Sequence, residues 1–349
     1  MIRTTKSFCS RLRLSRVWAL ILVLALLLPG CGGQTAQPGV LRVGVALYTQ
    51  DDTFISTIVQ HFERMAQTAE AETGRKINLS IADGRSNQTT QLEQVDRFLS
   101  QGCGVLCVNI VDRTAAAVII DKAEAAGVPL IFFNRQPVEE DIRRWDQVYY
   151  VGVRAEDGGR LQGQIVLDAW EEGSLDRNSD QVLQYVMLEG EPGHQDALLR
   201  TEYSLKTLTD AGVEVERLAG DTANWNRGQA ASRMTQWLEE FGGEIEVVFS
   251  NNDDMALGAI DVFQEQNMEN PPLVVGVDAT VPALEAVAAG DLAGTVLNDA
   301  EGISRAMVDL LLALTSGQDP AQAVDLEDGH YVWLPSRRVT AENLSEFMP

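Results

Sequence analysis

The sequence predicts an α/β protein made of two doubly wound, Rossmann-like lobes, each built on a parallel sheet. Short, continuous apolar runs alternate with segments of helical period along most of the chain. Such runs, bounded by Gly, Pro, Asn and Asp, are typical of strands buried on both faces of a parallel sheet. They form two sets of about five, and 349 residues are enough for two cores of this kind.

The first set of apolar runs alternates with helical segments. Its predicted strands are residues 40–48, 77–82, 105–111, 130–133 and 148–153. Its predicted helices are residues 53–72, 88–100, 115–126 and 157–170. In the first helix Ile55, Ile58, Phe62 and Ala66 recur at helical spacing, as on the buried face of an amphipathic helix. The second set predicts strands near residues 183–188, 213–218, 245–249, 273–277 and 293–297.

The N-terminus has the pattern of a secretion signal. Basic residues without an acidic one precede an apolar run at 17–28 that is too short to span a bilayer. The following Leu28, Pro29, Gly30 and Cys31 resemble the site at which bacterial lipoproteins are cleaved and lipidated on the cysteine. The sequence thus predicts a signal peptide at 1–30, lipidation of Cys31, and a tether at 31–40 that anchors an extracytoplasmic protein to a membrane. An ordinary signal peptide with an incidental cysteine is the alternative.

Charge and cysteine content narrow the possible functions. The net charge of −24 argues against nucleic acid as a partner, because phosphate binding needs clustered Lys and Arg. Cys103 and Cys107 lie in one apolar run, where four strand residues hold them roughly 13 Å apart, too far for a disulfide. We interpret both as buried packing residues.

Polar side chains gather where the predicted strands end. They include Asp52, Asn134, His194, Asp196, Asn252, Asp278 and Asn298. For any single one, an N-cap is the simpler interpretation, since Asn and Asp stabilise helix starts. So many at the same edge favour a ligand site, which open α/β sheets place at this edge. The aromatic Phe54 and Trp225 add flat faces of the kind that a sugar ring packs on, although a lone Trp is more often part of a core.

A second polar pattern indicates a cation loop. Asp176, Asn178 and Asp180 alternate, Gln184 follows, and a carbonyl near Val182 can supply a further oxygen for a hard cation. A helix-flanked calcium loop needs Gly at its sixth position and Glu at its twelfth. Those positions hold residues 181 and 187, a Gln and a Met, so the isolated motif fails.

From Leu41 nearly to the C-terminus the chain resembles the galactose/glucose-binding proteins of the periplasmic binding protein type 1 family. The matching segments, in the family's order and spacing, are YTQDDTF, VNIVD, IFFN, VYYVGV, EGEPGHQDALLR, DTANW, IEVVFSNND, GVDA and AGTVLNDA. These proteins are sugar receptors of ABC importers and of chemotaxis. The resemblance therefore implies a non-enzymatic, monomeric receptor for D-galactose and D-glucose, or a close hexoside, whose partners are the importer's permease subunits.

The resemblance also implies which residues bind. The sugar would lie between the rings of Phe54 and Trp225, and Asp52 would face its 4-hydroxyl, where galactose and glucose differ. The implied hydrogen-bonding set is Asp52, Asn134, His194, Asp196, Arg200, Asn252, Asp278 and Asn298. For calcium as a structural cofactor, the implied set is Asp176, Asn178, Asp180, Val182, Gln184 and Glu246, the last from a distant segment. Gln181 stands where the family has a glycine, which would strain the loop if this residue adopts a positive φ.

In the family, three crossings of the chain form a hinge between the lobes. The crossings fall near 151–154, 297–299 and 334–336. One predicted lobe is 41–152 with 299–334, and the other is 153–298 with 335–349. Sugar groups contacted from both lobes would bias the hinge toward a closed form, which membrane partners recognise.

Three other functions are alternatives to an importer's sugar receptor. A glycoside hydrolase needs two carboxylates flanking one bond, and a sugar buried between lobes leaves no route for a polymer. An intracellular sugar-responsive repressor would carry an N-terminal helix-turn-helix in place of the signal sequence. A sensor that presents its closed form to a chemoreceptor or membrane kinase would have the same sequence features as an importer's receptor.

Overall fold

The computed structural model describes residues 39–348. The predicted signal peptide at 1–30, the lipidation of Cys31, and the predicted tether up to residue 38 lie outside these residues. Of the helices in the described part, none is both long and apolar enough to cross a membrane.

Strands and helices alternate through most of the described chain. The strands are β1 (Leu41–Leu47), β2 (Ile77–Asp83), β3 (Val105–Val108), β4 (Leu130–Phe133), β5 (Val148–Val153), β6 (Val182–Glu189), β7 (Glu214–Thr222), β8 (Val247–Ser250), β9 (Leu273–Val275), β10 (Gly294–Leu297), β11 (Tyr331–Leu334) and β12 (Arg337–Thr340). The helices are α1 (Thr53–Thr73), α2 (Gln88–Ser100), α3 (Ala116–Ala126), α4 (Glu139–Ile142), α5 (Ala155–Glu171), α6 (Gln195–Asp210), α7 (Arg227–Phe241), α8 (Asp253–Glu265), α9 (Val281–Ala289) and α10 (Ala300–Ser316).

The strands form two sheets with the same order. The first sheet runs β11-β5-β4-β3-β1-β2 and is parallel throughout. The second runs β12-β10-β9-β8-β6-β7 and is parallel except for the antiparallel pair of β10 and β12. The predicted class of two doubly wound α/β lobes is therefore confirmed.

Both faces of each sheet are buried, as the unbroken apolar runs predicted. In β3, Val105 and Cys107 point into one core, whereas Leu106 and Val108 point into the core on the other face. This alternation explains why the run carries no polar position. Cys103 and Cys107 are, among the described residues, free and buried thiols, which agrees with their interpretation as packing residues.

The chain passes between the two sheets at three places. It crosses after β5 into α5, after β10 into α10, and from β11 to β12. The first crossing contacts β11 and the segment before it, since the Arg154 guanidinium pairs with the carboxylate of Glu327 at 2.6 Å and lies 4.5 Å from the ring centre of Trp333. The register here is set by the backbone pairing of β5 with β11, since such a partly exposed ion pair adds little to stability.

Two glycines bring α5 and α6 into close contact. A Cβ on Gly159 would lie 2.8 Å from the carbonyl oxygen of Arg200, and one on Gly163 would lie 2.4 Å from that of Ser204. Atoms that close would overlap, so α6 can approach α5 only because both residues lack a side chain. The close approach fixes the backbone of α6, and therefore the origin of the Arg200 side chain.

Candidate functional site

The polar strand ends of both lobes face one cleft. In the first sheet the strand order reverses between β1 and β3, and in the second between β6 and β8. Such switch points, at the carboxyl ends of parallel strands, are where open α/β sheets bind ligands. The loops that follow β1 and β4 meet those that follow β6 to β9 at a shared cavity.

Nine of the ten predicted sugar-binding residues line this cavity. They are Asp52, Phe54, Asn134, His194, Asp196, Arg200, Trp225, Asn252 and Asp278. The tenth, Asn298, lies behind them and donates from Nδ2 to Oδ1 of Asp278 at 3.2 Å. The cavity measures about 30 Å³, room for about two water molecules. A sugar ring therefore enters only if the lobes part or the lining side chains shift.

The first lobe contributes a carboxylate, an aromatic ring and an amide. Asp52 follows β1, where its Oδ1 accepts the N–H of Ile55 at 2.9 Å and its Oδ2 accepts the hydroxyl of Tyr48. Phe54 is buried in the first turn of α1. Asn134 directly follows β4 with a φ of 60°, a left-handed conformation that Asn tolerates better than most residues. The segments that directly follow β1 and β4 thus place all three side chains at the cavity.

The second lobe contributes a buried arginine between two carboxylates. Arg200 on α6 donates to the carbonyl of Asn251 at 2.8 Å and to Oδ2 of Asp196 at 3.3 Å, and lies 3.6 Å from Oδ1 of Asp278. Burial raises the pKa of both Asp196 and Asp278, and the charge of Arg200 opposes this rise. The positive charge of the planar guanidinium offsets the negative charge of the buried carboxylates, and its N–H groups hold them in place.

His194 and Trp225 form an aromatic corner of the cavity. Burial, together with the charges of Arg135 and Arg200, lowers the pKa of His194 well below its usual range, so the imidazole is neutral. Its Nδ1 accepts the N–H of Asp196 at 3.1 Å, which leaves the proton on Nε2 as a donor. The ring packs edge to face against the indole of Trp225, with centroids 5.0 Å apart.

Three of the cavity residues are also helix caps. Asp52, His194 and Asn252 cap α1, α6 and α8, each through a side-chain acceptor to a backbone N–H of the first turn. The simpler N-cap interpretation is therefore correct for these positions, and it does not exclude a ligand role. A cap fixes one polar atom of the side chain, so the remaining atoms face the cleft in a set direction.

Three further lining residues were not predicted from the sequence to be part of a site. Tyr48, Ile55 and Arg135 also border the cavity. Tyr48 ends the first apolar run and Arg135 directly follows Asn134, so their places at strand ends were a usable signal. Sequence pattern gave no indication that the Arg135 guanidinium would lie over the Tyr48 ring, 3.4 Å from its centre.

The predicted cation loop spans the turn between α5 and β6. Oxygens of Asp176 and Asn178 accept the N–H of Asp180 at 3.1 and 3.0 Å. Asp180 accepts in turn from the amide groups of Asn178 and Gln184, each at 2.9 Å. Gln181 adopts a φ of 66°, the left-handed region anticipated at this position, which costs a residue with a side chain about 1–2 kcal/mol.

Glu246 closes the same loop from the segment before β8. Its two carboxylate oxygens accept the backbone N–H groups of Arg177 and Gln184 at 2.7 and 3.0 Å. Burial raises the pKa of Glu246, and the acidic side chains of the loop raise it further. The Arg177 guanidinium points away, to carbonyls of 270–271. Within residues 39–348, no three His, Cys, Asp or Glu side chains converge as they would around a metal ion.

Residues 43–319, well over half of the chain, match the family model described as a periplasmic binding protein domain. This chain belongs to the periplasmic binding protein family. Its two α/β lobes are those of the type I members.

Several known periplasmic binding proteins are similar to this one. The D-galactose/methyl-galactoside binding periplasmic protein MglB of Haemophilus influenzae is 37% identical over 311 residues, which cover 88% of this chain and 92% of that protein. A putative rhizopine-binding protein of Rhizobium meliloti is 32% identical over 307 residues, 87% of this chain and 92% of that one. The structure of an ABC transporter solute binding protein from Bacillus halodurans C-125 with bound myo-inositol has a TM-score of 0.74 and 28% identity, and the match covers 90% of this chain and 99% of that one.

Membership in this family establishes the general function. The chain is a sugar-binding protein of ABC transporters that acts outside the cytoplasm, and it is not an enzyme. The glycoside hydrolase alternative is therefore wrong. The cleft carboxylates serve a binding protein, in which no bond of the ligand is broken.

Proposed function

We propose that this binding protein takes D-galactose and D-glucose, or a close hexoside, into the cleft and delivers the sugar to an ABC importer. The proposal rests on three buried polar atoms: Nε of Arg200 and Nε1 of Trp225, which line the cavity, and Oδ1 of Asn298, which lies just behind it. Within the described residues none of them has a hydrogen-bond partner. Because buried polar groups are nearly always paired, the two N–H donors in the lining fit a ligand with acceptor oxygens around its rim, as a sugar has.

The charged groups of the cavity suit sugar hydroxyls. Carboxylates of Asp52, Asp196 and Asp278 accept from hydroxyls, and Arg200 and the neutral His194 donate to ring or hydroxyl oxygens. None of these interactions needs a charge on the ligand, because Arg200 already compensates its neighbouring carboxylates. A neutral polyol is thus a better match than an acidic or basic ligand.

The faces of the ring are matched by aromatic side chains. Phe54 comes from the first lobe and Trp225 from the second, so a pyranose between them presents its C–H faces to both rings. Asp52 faces the 4-hydroxyl in this arrangement. A water molecule beside Asp52 lets the same site accept either epimer.

Binding from both lobes requires the cleft to open and close. The cavity of about 30 Å³ is too small for a sugar to enter directly. Ligand groups divided between the lobes favour the closed arrangement by their differential affinity for it. The closed form is the one that the transporter recognises, and movement about the three crossings supplies it.

A fluorescence titration tests the sugar assignment. We expect protein beginning at Gln34 to show a saturable change in Trp emission at micromolar D-galactose and D-glucose. Trp225→Ala should abolish the change and Asp52→Ala should weaken binding of both sugars. Trp145→Phe, which removes an indole outside the cavity, is the matched control and should bind normally. Flat traces from folded wild-type protein with both sugars would reject the assignment.

We further propose that the loop at 176–184, with Glu246, holds a structural calcium ion. The support is the donor chemistry: carboxylates, amide oxygens and the Val182 carbonyl are ligands that Ca²⁺ prefers. The side chains would have to turn inward, with the amides of Asn178 and Gln184 rotated to present oxygen. The ion would compensate the charge of Glu246, for which Arg177 offers no guanidinium contact.

We also propose lipidation of Cys31, which would tether the protein at the membrane that carries the importer. The support is the four-residue pattern ending at Cys31 in the sequence. Intact mass measurement of the membrane fraction tests it, because Cys31→Ser should release the protein in soluble form without the lipid mass. Unchanged mass and membrane retention in Cys31→Ser would contradict the anchor.

A further inference from the structure

An ion pair joins the two lobes at the mouth of the sugar cavity. Arg135 follows β4 in the first lobe, and its Nη1 lies 2.8 Å from Oε2 of Glu191, which follows β6 in the second. Only 4% of Arg135 is exposed, so the cost of burying its charge is offset by this cross-lobe carboxylate. The pair can exist only while the lobes are together.

The guanidinium is held in place from several directions. It lies over the ring of Tyr48, 3.4 Å from the ring centre, and donates to the carbonyl of Val111 at 3.2 Å. A planar group that is stacked, ion-paired and hydrogen-bonded at once has little freedom to swing aside. A second cross-lobe hydrogen bond, from Gln195 to Gln136 at 3.2 Å, lies on the same side of the cleft.

The pair stands where three cavities meet. Arg135 borders the sugar cavity and a neighbouring cavity of about 410 Å³, and Glu191 borders that neighbour and another of about 560 Å³. The two neighbours also share walls with the sugar cavity, the smaller through His194 and the larger through Tyr48 and Trp225. Each is large beside the sugar cavity, so space for a second sugar ring exists just beyond the ion pair.

We infer that Arg135 and Glu191 form a gate that restricts the ligand to a single sugar ring. The inference rests on the proposed hexose function, and it assigns to these two residues the control of how large a ligand can bind. When the lobes close, the gate separates the sugar ring from the neighbouring cavities, so a sugar that carries a second ring keeps the pair apart. Such a ligand forgoes the ion pair, and Arg135 keeps only its first-lobe contacts with the Tyr48 ring and the Val111 carbonyl.

Binding of mono- and disaccharides to gate variants tests the inference. Calorimetric titrations would compare D-galactose with lactose, melibiose and maltose, which carry the second ring on different ring positions. Wild-type protein should bind galactose at least a hundredfold more tightly than any of the disaccharides. In Glu191→Ala, and again in Arg135→Ala, this ratio should fall at least tenfold for one or more of them.

The controls separate the gate from the proposed function and from general damage. Asp121→Ala removes a surface ion pair of the same length, Asp121–Arg144 at 2.8 Å, and should leave the ratio unchanged. Glu191 is on a partly exposed loop, so its variant tests the gate even if Arg135→Ala fails to fold. Ratios within twofold of wild type in the folded variants, or equal wild-type affinity for galactose and a disaccharide, would overturn the gate. Wild-type protein that binds no hexose would instead refute the proposed function on which the gate depends.

Discussion

Replacing Gly190 by alanine should displace the indole of Trp225, on which we propose that the sugar ring packs. Gly190 follows β6, and a Cβ placed there would lie 2.1 Å from two ring carbons of Trp225. Non-bonded carbons need about 3.5 Å, so the indole or the backbone must move by about 1.4 Å. The backbone is the less free of the two, because the N–H of Gly190 donates to Asn251 at 3.0 Å and its carbonyl accepts from the hydroxyl of Thr222.

The size of the effect follows from the overlap. Inserting a methyl group into a packed site costs about 1–3 kcal/mol. If the Trp225 indole moves away to relieve the overlap, sugar binding must supply the free energy that returns the ring to its place at the cavity. The free energy of binding is then weakened by that amount. We expect Gly190→Ala to raise the Kd for D-galactose by about 5- to 150-fold, measured by titration calorimetry.

The matched control is Gly228→Ala in the first turn of α7. Its nearest neighbour outside the helix backbone would be an Asn226 oxygen at 3.5 Å, an ordinary contact, and Ala there favours the helix by up to about 1 kcal/mol. This variant should bind like wild type and unfold at slightly higher urea. A Kd for Gly190→Ala within twofold of wild type, from protein of normal stability, would refute the role assigned to the indole.

Three further predictions concern buried charge. Arg200→Met leaves two buried carboxylates without their cation and should destabilise the protein by about 3–5 kcal/mol in urea; an unchanged unfolding midpoint would contradict the cluster. Burial raises the pKa of Asp253 to about 7. Between about pH 4 and pH 7 the folded protein therefore keeps a proton on this carboxyl group that the unfolded chain has released. Because the folded state binds more protons in this range, the free energy of unfolding is higher at acid pH and falls as the pH rises to about 7. Asp253→Asn should reduce the fall in the free energy of unfolding over this pH range by about 2–4 kcal/mol. If the free energy of unfolding changes with pH in parallel for the two proteins, the raised pKa of Asp253 is refuted. Calcium chelation should lower the melting temperature of wild type but not of Glu246→Gln; equal shifts in both would argue against the proposed ion site.

The fold was predictable because buried strands produce a recognisable pattern of apolar residues in the sequence. Continuous apolar runs located the strands of both sheets from β1 to β10, usually within a few residues, since strands packed on both faces are mainly apolar. The last two strands were missed. β11 and β12 are four residues long and separated by Pro335 and Ser336, and β12 is rich in charge. They form strands because the edge strands β5 and β10 offer them backbone hydrogen-bond partners. A local sequence pattern does not reveal such distant partners.

The site was predictable as a set of side chains but not as a geometry. Polar residues after parallel strands must share one edge, which is why so many predicted positions border one cavity. The cross-lobe pair of Arg135 and Glu191 joins residues that are 56 positions apart (191 − 135) on different sheets. Its existence depends on how closely the two lobes approach, which neither periodicity nor motif spacing encodes.

The most direct test of a hexose held between the lobes is a crystal structure of the protein grown with D-galactose. We expect the pyranose between the rings of Phe54 and Trp225, with its hydroxyls on Asp52, Asp196 and Asp278 and on Nε of Arg200. The ion pair of Arg135 and Glu191 should be closed over it. Clear density for a sugar elsewhere, or a cleft that stays free of sugar at saturating galactose, would contradict the account.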